Sequence, residues 1–468
     1  MEVKKLTLNK KRTFIIGLAF FGILMLWQVY NNYCPIILEY LLKGKVPDDR
    51  MLYIIGAIMA LDNLVALVGM PIMGILSDKT KTPIGRRMPY IIVGTIAGAL
   101  IFPFIALAFI WNSLAGVIIA MGLFLIVMQA YRNPAVSLMA DVTPKPLRSL
   151  ANSIINLVGY VGGIIAAVLG MIFVIKKDAV TGELPAASEI GTTVLLPFII
   201  SAVAILIILI VLIFNFNETK VVNEVKEEME LGELASKSLE DVKSTKKLSK
   251  KDIVNLIILL GSIFLWFMAF NAIETFNSLF AEKILGNSGI ASTSVIILTL
   301  SSIVSFVLFA KLSDKVGRWF VVVIGLVLLI FGISVVTIAT FVLIPDPNNI
   351  SVTSENLMPI IMYVCILFIG VGWAMININS FPMVVELANK ENVGKFTGYY
   401  YAASMLAQTI TPILVGLVMD FTEGLRILYL YSALFTVGAL VVFLFVKERN
   451  TSNEEKDVSV EEIEGGSI

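Results

Sequence analysis

Three ionisable residues interrupt long apolar stretches: Asp62 in Ala60-Leu61-Asp62-Asn63, Arg132 in Tyr131-Arg132-Asn133-Pro134, and Glu274 in Asn271-Ala272-Ile273-Glu274-Thr275. An arginine at the centre of a membrane-crossing helix costs roughly 2.5 to 3.5 kcal/mol even on lenient insertion scales, and intramembrane charges tend to mark solute or ion paths. The five fixed donors of Arg132 suit bidentate contact with a carboxylate or with neighbouring hydroxyls; a structural pair with Asp62 or a backbone carbonyl is the competing reading. Asp62, with Ala66 and Met70 one and two turns further along its face, is the proton-carrier candidate. A desolvated carboxyl can exchange a proton when its neighbours change; a permanently paired Asp62 fits the sequence equally well. Asn271 and Glu274, three residues apart, share a helix face, which suits contact with a solute, a gate nearer one end, or plain contact with water.

The chain contains no histidine, so proton chemistry falls to carboxylates and a histidine-ligated metal site is excluded. Cys34 and Cys365 each lie inside an apolar run and read as packing residues, not a disulfide framework. With no Gly-x-Ser-x-Gly or His-Glu-x-x-His pattern, enzyme activity is not expected. Around the three charges stand amides and aromatics: Trp27, Gln28 and Asn31, then Trp373, Asn377 and Asn379, then Tyr399, Tyr400, Tyr401 and Gln408. Amides offer donor and acceptor to paired hydroxyls, and aromatic faces cover the CH surface of a pyranose. Each residue alone is equally a source of interhelical hydrogen bonds or an interfacial aromatic.

The elements that must position these groups follow from composition. At 58% hydrophobic and 15% charged residues, the chain does not describe a water-soluble surface, and zero net charge without a basic stripe gives no reason to expect a nucleic-acid partner. Apolar runs of the ~20 residues needed to cross a bilayer recur twelve times. The spacing predicts spans over 13–42, 51–77, 89–111, 114–140, 149–175 and 192–215, then 253–284, 290–312, 319–344, 357–385, 395–419 and 426–447. The expected fold is all-α and membrane-embedded, with one six-helix bundle in 1–216, a cytoplasmic linker in 217–252, a second bundle in 253–447 and a solvated acidic tail in 448–468. Most of the 35 Lys and Arg fall in the N-tail, the linker, the C-tail and the turns after the second, fourth, eighth and tenth spans. The positive-inside rule then puts both termini in the cytoplasm.

The halves repeat one another. Gly74-Ile75-Leu76-Ser77-Asp78-Lys79, closing with Gly85-Arg86-Arg87, follows the second span, and Ser313-Asp314-Lys315-Val316-Gly317-Arg318 follows the eighth; Pro134 with Asp141 matches Pro382 with Glu386. A glycine for the tight bend and guanidinium groups able to pair with carboxylates make Asp78, Gly85, Arg86, Arg87, Asp141, Asp314, Gly317 and Arg318 candidates for a conformational latch. Two basic turns set only by topology are the plainer explanation. Paired six-helix halves suit a protein that rocks about a site at the midplane.

These residues, with Trp27-Gln28-Val29-Tyr30-Asn31, Pro71 to Gly74, Arg148 to Asn152, Asn377 to Pro382 and Gly398-Tyr399-Tyr400, resemble the major facilitator superfamily. Within it they are similar to the sucrose transporters and the glycoside-pentoside-hexuronide:cation symporters. The resemblance implies a multi-pass plasma-membrane protein moving a sugar. Melibiose-type symporters carry helix-two and helix-four acids at places held here by Ala66, Met70 and Arg132, so sodium coupling is not expected. Arg132 is similar to an arginine essential in sucrose transporters, although its spacing to Asp141 is longer. The resulting expectation is a monomeric, cofactor-free proton symporter of a disaccharide such as maltose or sucrose. Trp27, Gln28, Asn31, Arg132, Asn271, Asn377, Asn379 and Gln408 would bind sugar, with Asp62 and Glu274 coupling the proton. A proton-driven drug or metabolite exporter of the same fold, or a sugar sensor that moves nothing, are the alternatives.

Overall fold

A computed structural model describes residues 6–178, 183–241, 250–346, 352–388 and 392–447. The first half comprises α1 (Lys10–Leu42), α2 (Met51–Lys79), α3 (Met88–Ile110), α4 (Leu114–Asp141), α5 (Arg148–Ile172) and α6 (Gly191–Asn215). Two short helices follow, α7 (Glu218–Glu224) and α8 (Lys226–Asp241). The second half comprises α9 (Lys250–Lys283), α10 (Gly289–Val316), α11 (Arg318–Leu343), α12 (Val352–Glu386), α13 (Val393–Asp420) and α14 (Leu428–Phe443). Twelve of these helices are long and apolar enough to cross a bilayer.

The predicted spans lie within a few residues of these bounds. Two of the larger differences fall at polar ends, which a hydropathy reading truncates, while the spans ending at 175 and 447 overrun α5 and α14 by three and four residues. Polar Ser313 and Lys315 belong to α10, which runs on to Gly317 at φ 90°, and α12 begins in the polar turn holding Glu355. Caps set other starts: the Asn9 side chain accepts Arg12 N–H at 3.0 Å before α1, and Ser113 Oγ accepts Gly116 N–H at 3.1 Å before α4. The acidic tail lies outside the described residues.

In the first half α1 packs on α5 and α6, α3 on α4 and α6, and α2 on α4; in the second, α9 packs on α13 and α14, α11 on α12 and α14, and α10 on α12. Across the halves α2 meets α13, α5 meets α10, and α1 meets α9. The first two pairs exchange under the internal repeat. The pairs touch towards the end of the bundle remote from the chain termini. There a Cβ on Gly56 would lie 1.9 Å from Pro412 O and one on Gly416 2.5 Å from Leu52 O, so the two backbones are in direct contact. Asp420 accepts Leu52 N–H at 3.0 Å and Tyr53 N–H at 2.7 Å, so a side chain of one half caps α2 of the other. Lys283 Nζ pairs with Glu39 at 2.7 Å, and Lys176 bridges to Asn287 in antiparallel fashion. Nearer the termini, Val68, Ile72 and Ile75 on α2 and Tyr401 and Leu406 on α13 are exposed.

Candidate functional site

At mid-depth the halves meet around a small cavity of about 30 Å³, room for ordered water and well below the size of a small-molecule pocket. Its walls are Trp27 and Asn31 of α1, Met59, Asp62 and Asn63 of α2, Asn271, Glu274 and Thr275 of α9, and Gln408 and Pro412 of α13. Asp62 lies eleven residues into α2 and Glu274 nine residues from the end of α9, about 17 Å and about 14 Å along their helices at 1.5 Å per residue. Both carboxyls therefore stand far from either bundle end, one from each half.

Two prolines shape this cavity. A proline inside a helix leaves the carbonyl four residues earlier without its N–H partner. Pro35 frees Asn31 O, which accepts Ser278 Oγ–H at 3.2 Å, and Pro412 frees Gln408 O, which accepts Asn63 Nδ2–H at 3.3 Å. In both cases the donor comes from the opposite half, so the seam beside the cavity is stitched through broken helical hydrogen bonds.

Arg132 Cζ lies 5.8 Å from the centroid of the Trp27 ring, and that ring stacks on Tyr30 at 6.1 Å and 24°. The guanidinium makes no hydrogen bond or ion pair with a described residue; it is an electrostatic neighbour of both Asp62 and Glu274. Asp62 is 7% exposed and accepts the N–H of Asn63, whereas Glu274 is open to the cavity. The Asn271 side-chain Oδ1 is buried with no hydrogen-bond partner among the described residues. Among the described residues no group of three or more Cys, Asp and Glu side chains is placed to hold a metal ion.

At the end bearing the termini, a charged knot closes the turn after α2. Arg87, 4% exposed, reaches Asp141 at 2.8 Å and also bonds Asp78 and Ser77; Arg86 meets Asp141 at 2.6 Å. Burial alone would lower the Arg87 guanidinium, but the Asp141 and Asp78 carboxylates outweigh it and hold its pKa above the ordinary value. Glu218 of α7, 1% exposed, accepts the backbone N–H groups of Arg86, Arg87 and Met88 at 2.8–3.1 Å and so caps α3. Gly85 is required there: its φ is 113°, and a Cβ would lie 2.1 Å from Glu218 Oε2. In the second half Arg318 pairs with Glu386; the side chain of Asp314 lies outside the described residues.

A family model described as Major Facilitator Superfamily matches residues 16–381 and 327–463. The chain belongs to the major facilitator superfamily. Solved facilitators share its architecture at low sequence identity. A D-xylose-proton symporter aligns with a TM-score of 0.64 and 17% identity over 94% of this chain and 99% of its own. The xylose transporter XylE from E. coli, in a partially occluded inward-open conformation, gives 0.63 and 15% over 93% and 98%. The nucleoside transporter NupG gives 0.59 and 14% over 93% and 100%. No curated protein matches the chain significantly.

Within this facilitator the sequence-predicted residues divide. Trp27, Asn31, Asp62, Asn271, Glu274 and Gln408 come together on the cavity. Gln28 instead donates to Asn32 at 3.1 Å, Asn377 to Trp373 O at 3.0 Å and Asn379 to Met375 O at 2.7 Å, and none of the three lines the cavity wall. Arg132 is not part of the cavity wall but lies against the Trp27 ring, 5.8 Å from its centroid. Sequence reasoning passed over Met59, Asn63, Thr275 and Pro412; Asn63 and Thr275 adjoin the two acids and were legible as polar neighbours. It also passed over Glu218, whose Asn217-Glu218 opening resembles any helix start.

Proposed function

We propose that this facilitator carries a sugar, a disaccharide such as maltose or sucrose, by proton symport across the plasma membrane. The observation that carries the reading is one mid-depth cavity to which each half contributes a carboxyl and amides, Asp62 with Asn63 and Glu274 with Asn271. A drug-exporting facilitator would call for a wall richer in apolar groups; here Met59 and Pro412 are the apolar minority among amides, acids and one indole.

Trp27 would cover the CH face of a sugar ring, and Asn31, Asn271 and Gln408 would bond its hydroxyls. Asp62, with Arg132 and Glu274 as its charged neighbours, would take the proton: neutralising it releases the guanidinium field toward the solute, and losing the proton restores attraction between Arg132 and the acids. Gln28, Asn377 and Asn379 would act by bracing helices. The knots of Asp78, Arg86, Arg87 and Asp141 and of Arg318 and Glu386 would steady each half during rocking. The distribution of Lys and Arg supports termini in the cytoplasm. The halves are closed at the end remote from the termini, so with cytoplasmic termini this form would face inward. No cofactor is invoked, the proton gradient replaces sodium, and a monomer suffices.

Uptake of labelled maltose, sucrose and xylose into proteoliposomes, with and without an inward proton gradient, tests the reading. Expected is gradient-stimulated uptake of at least one sugar, lost in Arg132→Ala. Competition by nucleosides but by no sugar would replace the cargo; uptake indifferent to the gradient would remove the coupling.

A further inference from the structure

Glu282 has no part in the cavity described above. It lies eight residues beyond Glu274 on α9, about 12 Å along the helix, at the closed end of the bundle. It is 0% exposed, and neither buried carboxyl oxygen accepts a hydrogen bond from a described residue. Lys283 beside it is an ion-pair partner of Glu39 across the halves, at 2.7 Å, and lies 5.0 Å from the Tyr40 ring centroid. The Tyr40 hydroxyl lies within hydrogen-bonding reach of Glu282 and donates to Pro185 O at 3.1 Å, so a bond between the two side chains has to use the proton of a neutral Glu282 carboxyl.

The charge count of this seam is uneven. Glu39 and Glu282 are both buried, and Lys283 is the ammonium between them. The outlying charges face water: Lys43 after α1 and Glu189 before α6 are exposed, and Lys177 after α5 is half-buried beside Asp346. Burial and the neighbouring Lys283 lower the Lys177 pKa, and exposed charges contribute little to a buried neighbour. A buried carboxylate without a paired charge or hydrogen bonds is too costly to persist. Among the described residues this seam is one positive charge short, and none of them forms a cluster placed to hold a metal ion.

We propose that Glu282 is a proton-binding site distinct from the central cavity, holding its proton while the halves are closed at this end and releasing it to water when they part. The proton comes from bulk water and returns to it; no other bond changes. Closure of this gate is thereby linked to pH, acid favouring the closed form and base the open one. The proposal does not rest on the cargo being a sugar or on Asp62 coupling.

The test uses full-length protein in nanodiscs, with Cys34→Ala and Cys365→Ala. Spin labels sit at Ser188→Cys and Pro345→Cys, exposed positions at this end on opposite halves. Distance distributions are recorded from acid to alkaline pH. A parallel set carries Asp62→Asn and Glu274→Gln, so that cavity carboxyls cannot supply the response. Expected is a long-distance population that grows with pH in both sets, by at most about tenfold per unit for one linked proton. Glu282→Gln should stay at short distance with no pH response, and Glu282→Asp should keep the response. A flat parent profile, or an undiminished slope in a monodisperse Glu282→Gln protein, overturns the proposal. A slope that vanishes with the cavity carboxyls also overturns it and leaves the symport reading standing.

Discussion

Replacing Asp420 by Asn removes a negative charge from the N-terminus of α2 while leaving one acceptor in place. The carboxylate reaches Leu52 N–H and Tyr53 N–H from the other half, the first bond part-buried and the second exposed. A carboxylate at a helix N-terminus stabilises by about 0.3–1 kcal/mol when exposed and up to ~2 kcal/mol when partly buried, so about 1 kcal/mol is the working value here. The bonds exist only while the halves touch, so the whole loss falls on the closed form. At RT near 0.6 kcal/mol the open-to-closed ratio then rises about fivefold. Spin-label distances between Ser188→Cys and Pro345→Cys measure that ratio directly. Glu423→Gln is the control: Glu423 pairs with Arg426 of its own half at 2.8 Å and is exposed, so it should shift nothing. An unchanged distribution in Asp420→Asn, or an equal shift in the control, would refute the argument that this carboxylate holds the halves together.

Gly85→Ala forces a side chain onto a φ of 113° and against Glu218; a loss of about 1–3 kcal/mol, read as a lower apparent melting temperature, is expected, while Gly394→Ala, with open space around it, should leave melting unchanged. Glu218→Ala strands three backbone donors at the start of α3 and should lower the melting point through the ~1–3 kcal/mol cost of each unmade buried bond; Glu218→Gln, which keeps an acceptor, should fall between it and the parent. Asp62→Asn should abolish gradient-driven sugar uptake while retaining exchange down a sugar gradient, and equal loss of both would make Asp62 a binding or structural residue instead. Arg132→Lys keeps the charge but not the planar fork, so uptake should fall at least tenfold, and full activity would show that only the charge matters.

The twelve helices were legible because lipid imposes the same length and apolarity on every span, and the two glycine turns were legible because a sharp bend between charged residues leaves few alternatives. Helix rotation was not. Asn377 and Asn379 lie two residues apart and so cannot share a face at 3.6 residues per turn; each amide returns to the carbonyl four residues back. Gln28 joins Asn32, which in turn donates to Ser292 at 3.1 Å in the seam between halves. Which polar residue meets the cavity depends on how neighbouring helices pack, and composition carries no record of that. The reading of 217–252 as a cytoplasmic linker missed Glu218 for a related reason: its carboxylate is buried by the turn it caps, not by its own helix.

The breaks at Pro35 and Pro412 bear on how fast the molecule can change shape. Asn31 O and Gln408 O have already forgone their helical partners, so separating the halves exchanges a hydroxyl or an amide for a water molecule at each, with the number of bonds conserved. Motion along this joint meets little enthalpic resistance from the main chain, and the pace of a transport cycle is left to the groups that truly lose something on parting, the ion pair at Glu39 and the cap at Asp420.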